Sequence, residues 1–301
     1  MEDVTDAAFR RLIARYGRPH VMFTEFTSAD GLVLADEHGQ KILRRKLIYD
    51  EGERPIVAQL FTAEPERMEK AARLVQELGF DGVDINMGCP VREVVENGCG
   101  AAMILNPPLA QEVIRAAQRG APHLPVSVKT RIGYKVNEIE TWVPMLLETG
   151  IAALSMHLRT RDEMSSVPAH WEHMARIVEI RDAAKLDTLI LGNGDVKDLN
   201  DGRAKVAETK CDGVMLGGAI YGNPWLYADR ATPPTPQERI EALIEHLELF
   251  EELMASTQNY AIMKKHFKAY ISGWDSAKEL RIRLMETTSP KEAIALLMAK
   301  E

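Results

Sequence analysis

Cysteine is scarce: three in 301 residues, which excludes a disulfide-stapled scaffold and suits a reducing compartment. No apolar run approaches the roughly 18 residues a membrane span requires. The first residues, Met1 to Arg11, carry charges of both signs and no apolar core, so they are not a secretory signal. Neither a Cys-x-x-Cys pair nor a pair of histidines at metal-ligand spacing stands out, and no metal is expected. Positive charge is in deficit as well, 37 Lys plus Arg against 45 Asp plus Glu, which at first sight argues against a nucleic-acid partner.

Short apolar runs recur along the chain: Val21 to Glu25, Ile56 to Phe61, Gly82 to Asn86, Val126 to Thr130, Ala152 to His157, Thr188 to Asn193 and Gly213 to Gly217. Between them lie stretches of helical spacing such as Pro65 to Leu78, Pro108 to Arg119, Glu138 to Glu148 and Trp171 to Ala184. Strand alternating with helix predicts a parallel sheet, and continuous rather than alternating apolar runs predict strands buried on both faces. The runs end in Glu25, Gln59, Asn86, Lys129, His157, Asn193 and Gly217. Those endings favour a TIM barrel, whose strand ends converge on one mouth, over an open doubly wound sheet. Seven runs are one short of eight, and the chain starts where a first strand would precede Asp6 to Tyr16. The expectation is therefore a (βα)8 barrel lacking its first strand, over residues 1–230. A proline-rich linker, 231–237, follows, then a small helical domain, 238–301, with helices at Glu238 to Ser256, Tyr260 to Ile271, Ser276 to Thr287 and Pro290 to Lys300.

Cys89 lies in the tight turn Asn86-Met-Gly-Cys-Pro90, between a strand end and a glycine-rich segment, which suits a thiol held over the mouth. Cys99 and Cys211 lack that setting and read as packing residues. Lys129 and Arg131 put two cations at one strand end, able to bind phosphate or a developing anion; a Schiff-base role for Lys129 is the alternative. His157 and Arg159 end the next strand. Gly192-Asn193-Gly194-Asp195 and Gly217-Gly218 follow the last two, where backbone N–H groups of barrel enzymes hold phosphate.

In order along the chain, Ala58-Gln-Leu-Phe61, Asn86-Met-Gly-Cys-Pro90, Val128-Lys-Thr-Arg-Ile-Gly133, His157 with Arg159-Thr-Arg161, Asn193-Gly-Asp195 and Gly222-Asn-Pro-Trp225 resemble the tRNA-dihydrouridine synthases. The resemblance covers nearly the whole chain. It implies FMN in the barrel mouth, NADPH as reductant, and reduction of the C5=C6 bond of uridine in tRNA. Cys89 would protonate C5 while flavin N5 delivers hydride to C6, a role for a neutral thiol that the nearby Glu93 and Glu96 accommodate. Met1, Gln59, Lys129, His157, Asn193, Gly194, Asp195, Gly217 and Gly218 match flavin contacts, and Asn86, Arg131 and Arg159 are candidate neighbours of the base.

The target base must be flipped out of folded RNA, and the tail would grip the backbone through Lys264, Lys265, Lys268, Arg281 and Arg283. With Lys278 these give the segment Ile262 to Arg283 a net charge of +4. Two departures from the family pattern stand out: the chain begins at the methionine that ends the usual first strand, and Gly218 replaces an arginine near the flavin phosphate. A cytoplasmic monomer is expected. The alternatives are a flavin-free, non-catalytic tRNA-binding protein and a flavin barrel acting on a free pyrimidine.

Overall fold

A computed structural model describes residues 1–228 and 230–299. Its strands are β1 (Met22–Phe23), β2 (Thr27–Ser28), β3 (Ile56–Phe61), β4 (Gly82–Met87), β5 (Val126–Arg131), β6 (Ala153–His157), β7 (Leu189–Asn193) and β8 (Gly213–Met215). The seven apolar runs each form a strand, and the two-residue β2 is added to them. The chain divides into two compact units.

The first unit comprises Phe26–Leu43 and Ile56–Gly218. Here β2 to β8 pair in chain order, every pair parallel, with helices between them, which is the winding of a TIM barrel. Ile56, Ala58 and Leu60 of β3 are fully buried, and all six residues of β4 are buried, as strands covered on both faces require. Proline opens the helix Pro65–Glu77, where its missing N–H has no intrahelical acceptor to lose. The buried Met68, Ala71, Ala72 and Val75 of that helix form its inner stripe. Helix Pro107–Gly120 packs so close that a Cβ on Gly120 would lie 2.1 Å from the Glu69 carbonyl oxygen. Register then fixes the site: Asn86 stands beside Lys129, Arg131 beside His157, and His157 beside Asn193.

The second unit comprises Met1–Glu25, Arg44–Pro55 and Ala219 onward. Helix Ala7–Tyr16, capped by Asp6, buries Ala8 and Leu12 in a cluster with Leu243, Leu247, Phe250, Phe267 and Tyr270 from the tail. Helix Pro236–Leu253 begins in a capping box made by Thr235 and Glu238. Lys264–Tyr270, Ala277–Glu286 and Pro290–Met298 complete the helical part; residues 300 and 301, at the end of the last expected helix, lie outside the described residues. Arg10 is buried whole, bonded to Glu53 at 2.8 Å and to the carbonyls of Thr5 and Ile48. His246 and His266 are also buried, ring centroids 4.7 Å apart. Burial keeps both neutral: it pushes the His266 imidazole down to about 4 and lowers that of His246 as well. Among the described residues no helix is long and apolar enough to cross a membrane.

Candidate active site

The site is built on the C-terminal ends of β3 to β7. Asp84, in the middle of the fully buried β4, accepts from Ser127 Oγ at 2.6 Å and from Gln59 Nε2 at 2.7 Å. Burial pushes its carboxyl up to about 6, opposed by those two hydrogen bonds and by Lys129. Because the Gln59 amide nitrogen faces Asp84, its carbonyl is left to accept from Asn86 Nδ2 at 3.2 Å. The Asn86 carbonyl in turn accepts the backbone N–H groups of Gly88 at 3.1 Å and Cys89 at 2.9 Å. A carboxylate thus fixes two amide orientations and, through them, the turn that carries Cys89.

Cys89 is half-buried and forms no disulfide; Cys99 and Cys211 are buried. Its carbonyl accepts from the backbone N–H of Ala101 at 3.0 Å. Arg131 clamps the same turn, donating to the carbonyls of Gly88, Thr160 and Met164 at 2.8, 2.9 and 3.0 Å. Three of its donors are therefore committed to backbone, tying the Cys89 turn to the loop after β6. Burial lowers the Arg131 guanidinium to about 10, which leaves it charged at neutral pH.

Lys129 Nζ and His157 Nδ1 share one acceptor, Asn193 Oδ1, at 3.1 and 2.9 Å. The Asn193 amide is oriented by its Nδ2, which donates to the Met215 carbonyl at 2.8 Å, so Nδ1 is the protonated nitrogen of His157. Burial, helped by the charges of Lys129 and Arg131, drives His157 down to about 3, so it is neutral. Burial and the neighbouring Arg131 bring Lys129 down to about 8, against the pull of Asp84. The ammonium spends one donor on Asn193, and near it stand the neutral Asn86 and His157 and the charged Arg131. Such a set suits the edge of an anionic, hydrogen-bonding ligand.

Gly194 sits at φ 124°, a backbone that a side chain would strain. Its carbonyl accepts from Trp171 Nε1 at 2.8 Å, and the Trp171 ring packs where a Cβ on Gly192 would be, 2.4 Å away. Asp195 is held low by Arg159, which bonds it at 2.5 Å; it also accepts from the Ala169 N–H at 2.8 Å. Arg159 and Asp195 therefore satisfy each other in this structure. A Cβ on Gly218 would meet nothing within 4 Å, so open space stands where the family pattern has an arginine.

Gln59, Asn86, Cys89, Lys129, Arg131, His157, Arg159, Asn193, Gly194 and Asp195 are thus joined by direct hydrogen bonds or stand within one or two residues of one another along the turns. The sequence reading passed over Asp84, Ser127 and Trp171; a lone charge inside the apolar run Gly82 to Asn86 was the available signal for the first. It also saw no histidine pair at metal-ligand spacing, yet His170, Glu172 and His173 each bring a ligand atom within 4.8 Å of the others.

In the second unit, Met1 is exposed, its terminal ammonium donating to Thr5 Oγ1 at 2.7 Å. Lys265 pairs with Asp3 at 3.1 Å, Lys264 donates to the Met285 carbonyl at 2.8 Å, and Arg281 to that of Ile271 at 2.7 Å. Lys268, Lys278 and Arg283 are exposed.

The sequence model of the dihydrouridine synthase family (Dus) matches residues 1–301. The chain is 42% identical over 299 residues to the probable tRNA-dihydrouridine synthase 2 of Bacillus subtilis (strain 168), covering 99% of this chain and 91% of that protein. It is 40% identical over the same length to the probable tRNA-dihydrouridine synthase of Staphylococcus aureus (strain COL), covering 99% and 90%. In fold it is similar to the old yellow enzyme homologue from Zymomonas mobilis, with TM-score 0.54, 16% identity, and 78% and 86% of the two chains covered. It is similar also to histamine dehydrogenase from Rhizobium sp. 4-9, with TM-score 0.56, 13% identity, and 87% and 48% covered. The structural likeness is one of fold alone. The sequence match spans the whole chain, and the protein belongs to the dihydrouridine synthase family.

Proposed function

We propose that this protein reduces the C5=C6 bond of uridine in tRNA to 5,6-dihydrouridine, with FMN bound at the strand ends and NADPH as reductant. The observation that carries the reading is the hydrogen-bonded line from Asp84 through Gln59 and Asn86 to Cys89, beside the Lys129–Asn193–His157 group. A turn carrying a thiol near a half-buried cation supports that reading.

The residues present fit FMN. Lys129, Gln59, His157 and Asn193 would line the pyrimidine edge of the flavin, where Lys129 offsets the negative charge of its reduced form. Gly194, Asp195, Gly217 and Gly218 would face the phosphate with backbone N–H groups, without the usual arginine. When bound, FMN supplies hydride to C6 of the uracil ring, and NADPH restores the flavin.

Everything else falls to the chain. Cys89 gives its thiol proton to C5, balancing the hydride taken up at C6, and recovers a proton from solvent. Asn86, fixed by Gln59, holds the thiol turn and borders the base; Arg159 and Arg131 stand at the neighbouring strand ends. Lys265, Lys268 and Arg283, with Lys264 and Arg281, supply the positive face for the tRNA backbone. We place the protein in the cytoplasm, where tRNA is matured, as a monomer.

Purified protein reconstituted with FMN should absorb near about 450 nm, the general band of oxidised flavin, and form dihydrouridine on unmodified tRNA with NADPH. Protein that binds tRNA but stays colourless would favour the flavin-free reading; turnover of free uracil without tRNA would favour the free-pyrimidine reading.

A further inference from the structure

Outside the strand-end site, the loop after β6 carries a group of side chains suited to a metal ion. In the short 3₁₀ turn Trp171–His173 and the residue before it, His170, Glu172 and His173 each offer one ligand atom, all within 4.8 Å of one another. His170 contacts a carboxylate at each ring nitrogen. Nε2 lies 2.9 Å from Glu163 Oε1, and Nδ1 lies 3.0 Å from Glu172 Oε1.

A neutral imidazole has a single N–H to give, so one of these contacts sets a lone pair against a carboxylate oxygen. Only a cation between the two, a proton or a metal ion, makes both favourable. The two carboxylates differ in a way that decides which end takes it. Glu163 is pinned, its Oε2 accepting from the Thr160 backbone N–H at 2.7 Å, whereas Glu172 is mostly solvent-facing. In the neutral tautomer that donates Nε2–H to Glu163, the Nδ1 lone pair faces Glu172. A ligating histidine whose other nitrogen donates to a carboxylate is the recurrent second layer of zinc sites.

We propose that His170 through Nδ1, Glu172 and His173 bind one zinc-class divalent ion, with Glu163 orienting His170. Two imidazoles and one carboxylate suit Zn2+ and the later transition ions rather than Mg2+ or Ca2+, which take oxygen ligands. Three protein ligands leave a fourth position for water. The consequence is structural: Trp171, between the ligands, donates to the Gly194 carbonyl, and the His170 N–H donates to the Leu158 carbonyl at 2.7 Å. A bound ion would staple the loops after β6 and β7 together. This proposal does not depend on the reaction assigned to the protein.

The test uses the full chain with any affinity tag removed, stripped by chelator and titrated with Zn2+ by calorimetry and with Cu2+ by tryptophan quenching. One equivalent of Zn2+ should bind, unaffected by millimolar Mg2+. His173→Ala should abolish that binding, and Glu163→Ala should weaken it about 10- to 100-fold, as loss of an orienting carboxylate does. Trp171→Phe should remove most Cu2+ quenching while leaving Zn2+ binding intact. Absence of stoichiometric binding by the unaltered chain, or equal Zn2+ affinity in His173→Ala, Glu172→Ala and the unaltered chain, would overturn the proposal.

Discussion

The side-chain carbonyl of Asn86 accepts the backbone N–H of Cys89 at 2.9 Å, so one residue holds the turn that carries the thiol. The same amide is oriented by Gln59, and Gln59 by Asp84. Placement of the Cys89 turn is thereby transmitted from a group buried inside β4.

Cys89→Ala should leave flavin absorbance unchanged, since the Lys129–Asn193–His157 group is held by its own hydrogen bonds, and should abolish dihydrouridine formation. Absorption spectra and mapping of the product on tRNA check the two halves separately. Turnover at the unaltered rate would refute the proton-donor role.

Removing the anchor should be felt at a distance. Asp84→Leu leaves the Gln59 amide free to turn over, and misplacement of a catalytic turn by about 1 Å costs on the order of 100-fold. We expect a fall of that size in kcat with a small change in KM. Asp84→Asn keeps an acceptor for Gln59 and offers an N–H that the Ser127 hydroxyl can accept in a reversed hydrogen bond, and should lose far less.

The pH profile offers a separate check on Asp84. Its carboxyl sits at about 6, so acidification below that value protonates it and removes an acceptor oxygen from the line. Protonated Asp84 resembles the Asn variant, so activity below about pH 6 should fall only to the Asp84→Asn level, and that limb should be absent in Asp84→Asn. An identical acid limb in both would assign it to another group.

Stability should also respond to acid through the helical unit. His246 and His266 are buried and neutral, with His266 lowered to about 4 against an ordinary value near 6.5. The unfolded chain then binds more protons than the folded one between those values, so stability is full above about pH 6.5 and declines as pH falls toward 4. Asp6, raised to about 6 by burial, works in the opposite direction. The measurement is therefore a difference: His266→Phe should flatten the fall in Tm between pH 7 and 4.5 relative to the unaltered chain.

On the basic face the cations differ in exposure, and Lys265, though exposed, pairs with Asp3 at 3.1 Å. Lys264 and Arg281 hold backbone carbonyls, whereas Lys265, Lys268 and Arg283 are exposed. Charge reversal at Lys265, Lys268 and Arg283 should weaken tRNA binding and reduce the slope of log K against log salt by about one per lost phosphate contact. Unchanged affinity and slope would place the RNA elsewhere.

Much of the barrel was legible because strands buried on both faces leave uninterrupted apolar runs, and a polar residue ending such a run falls at the mouth. Gln59, Asn86, Lys129, His157 and Asn193 were read that way. What escaped depends on partners distant in sequence. Asp84 acquires meaning only when register sets Gln59 and Ser127 against it. Trp171 matters because Gly192 leaves room for its ring. His170 and His173 converge only once the chain makes a 3₁₀ turn between them. β2, two residues long, is too short to leave a periodic signal, and the grouping of residues 44–55 with the tail rests on long-range contacts such as Arg45 with the Leu253 carbonyl.

The most direct test of the central claim is the dihydrouridine map of tRNA from cells with and without this gene, complemented by the unaltered protein or by Cys89→Ala. Loss of dihydrouridine at one or more positions, restored by the unaltered protein and not by the variant, is the predicted result. A map that is the same in all four strains would contradict it.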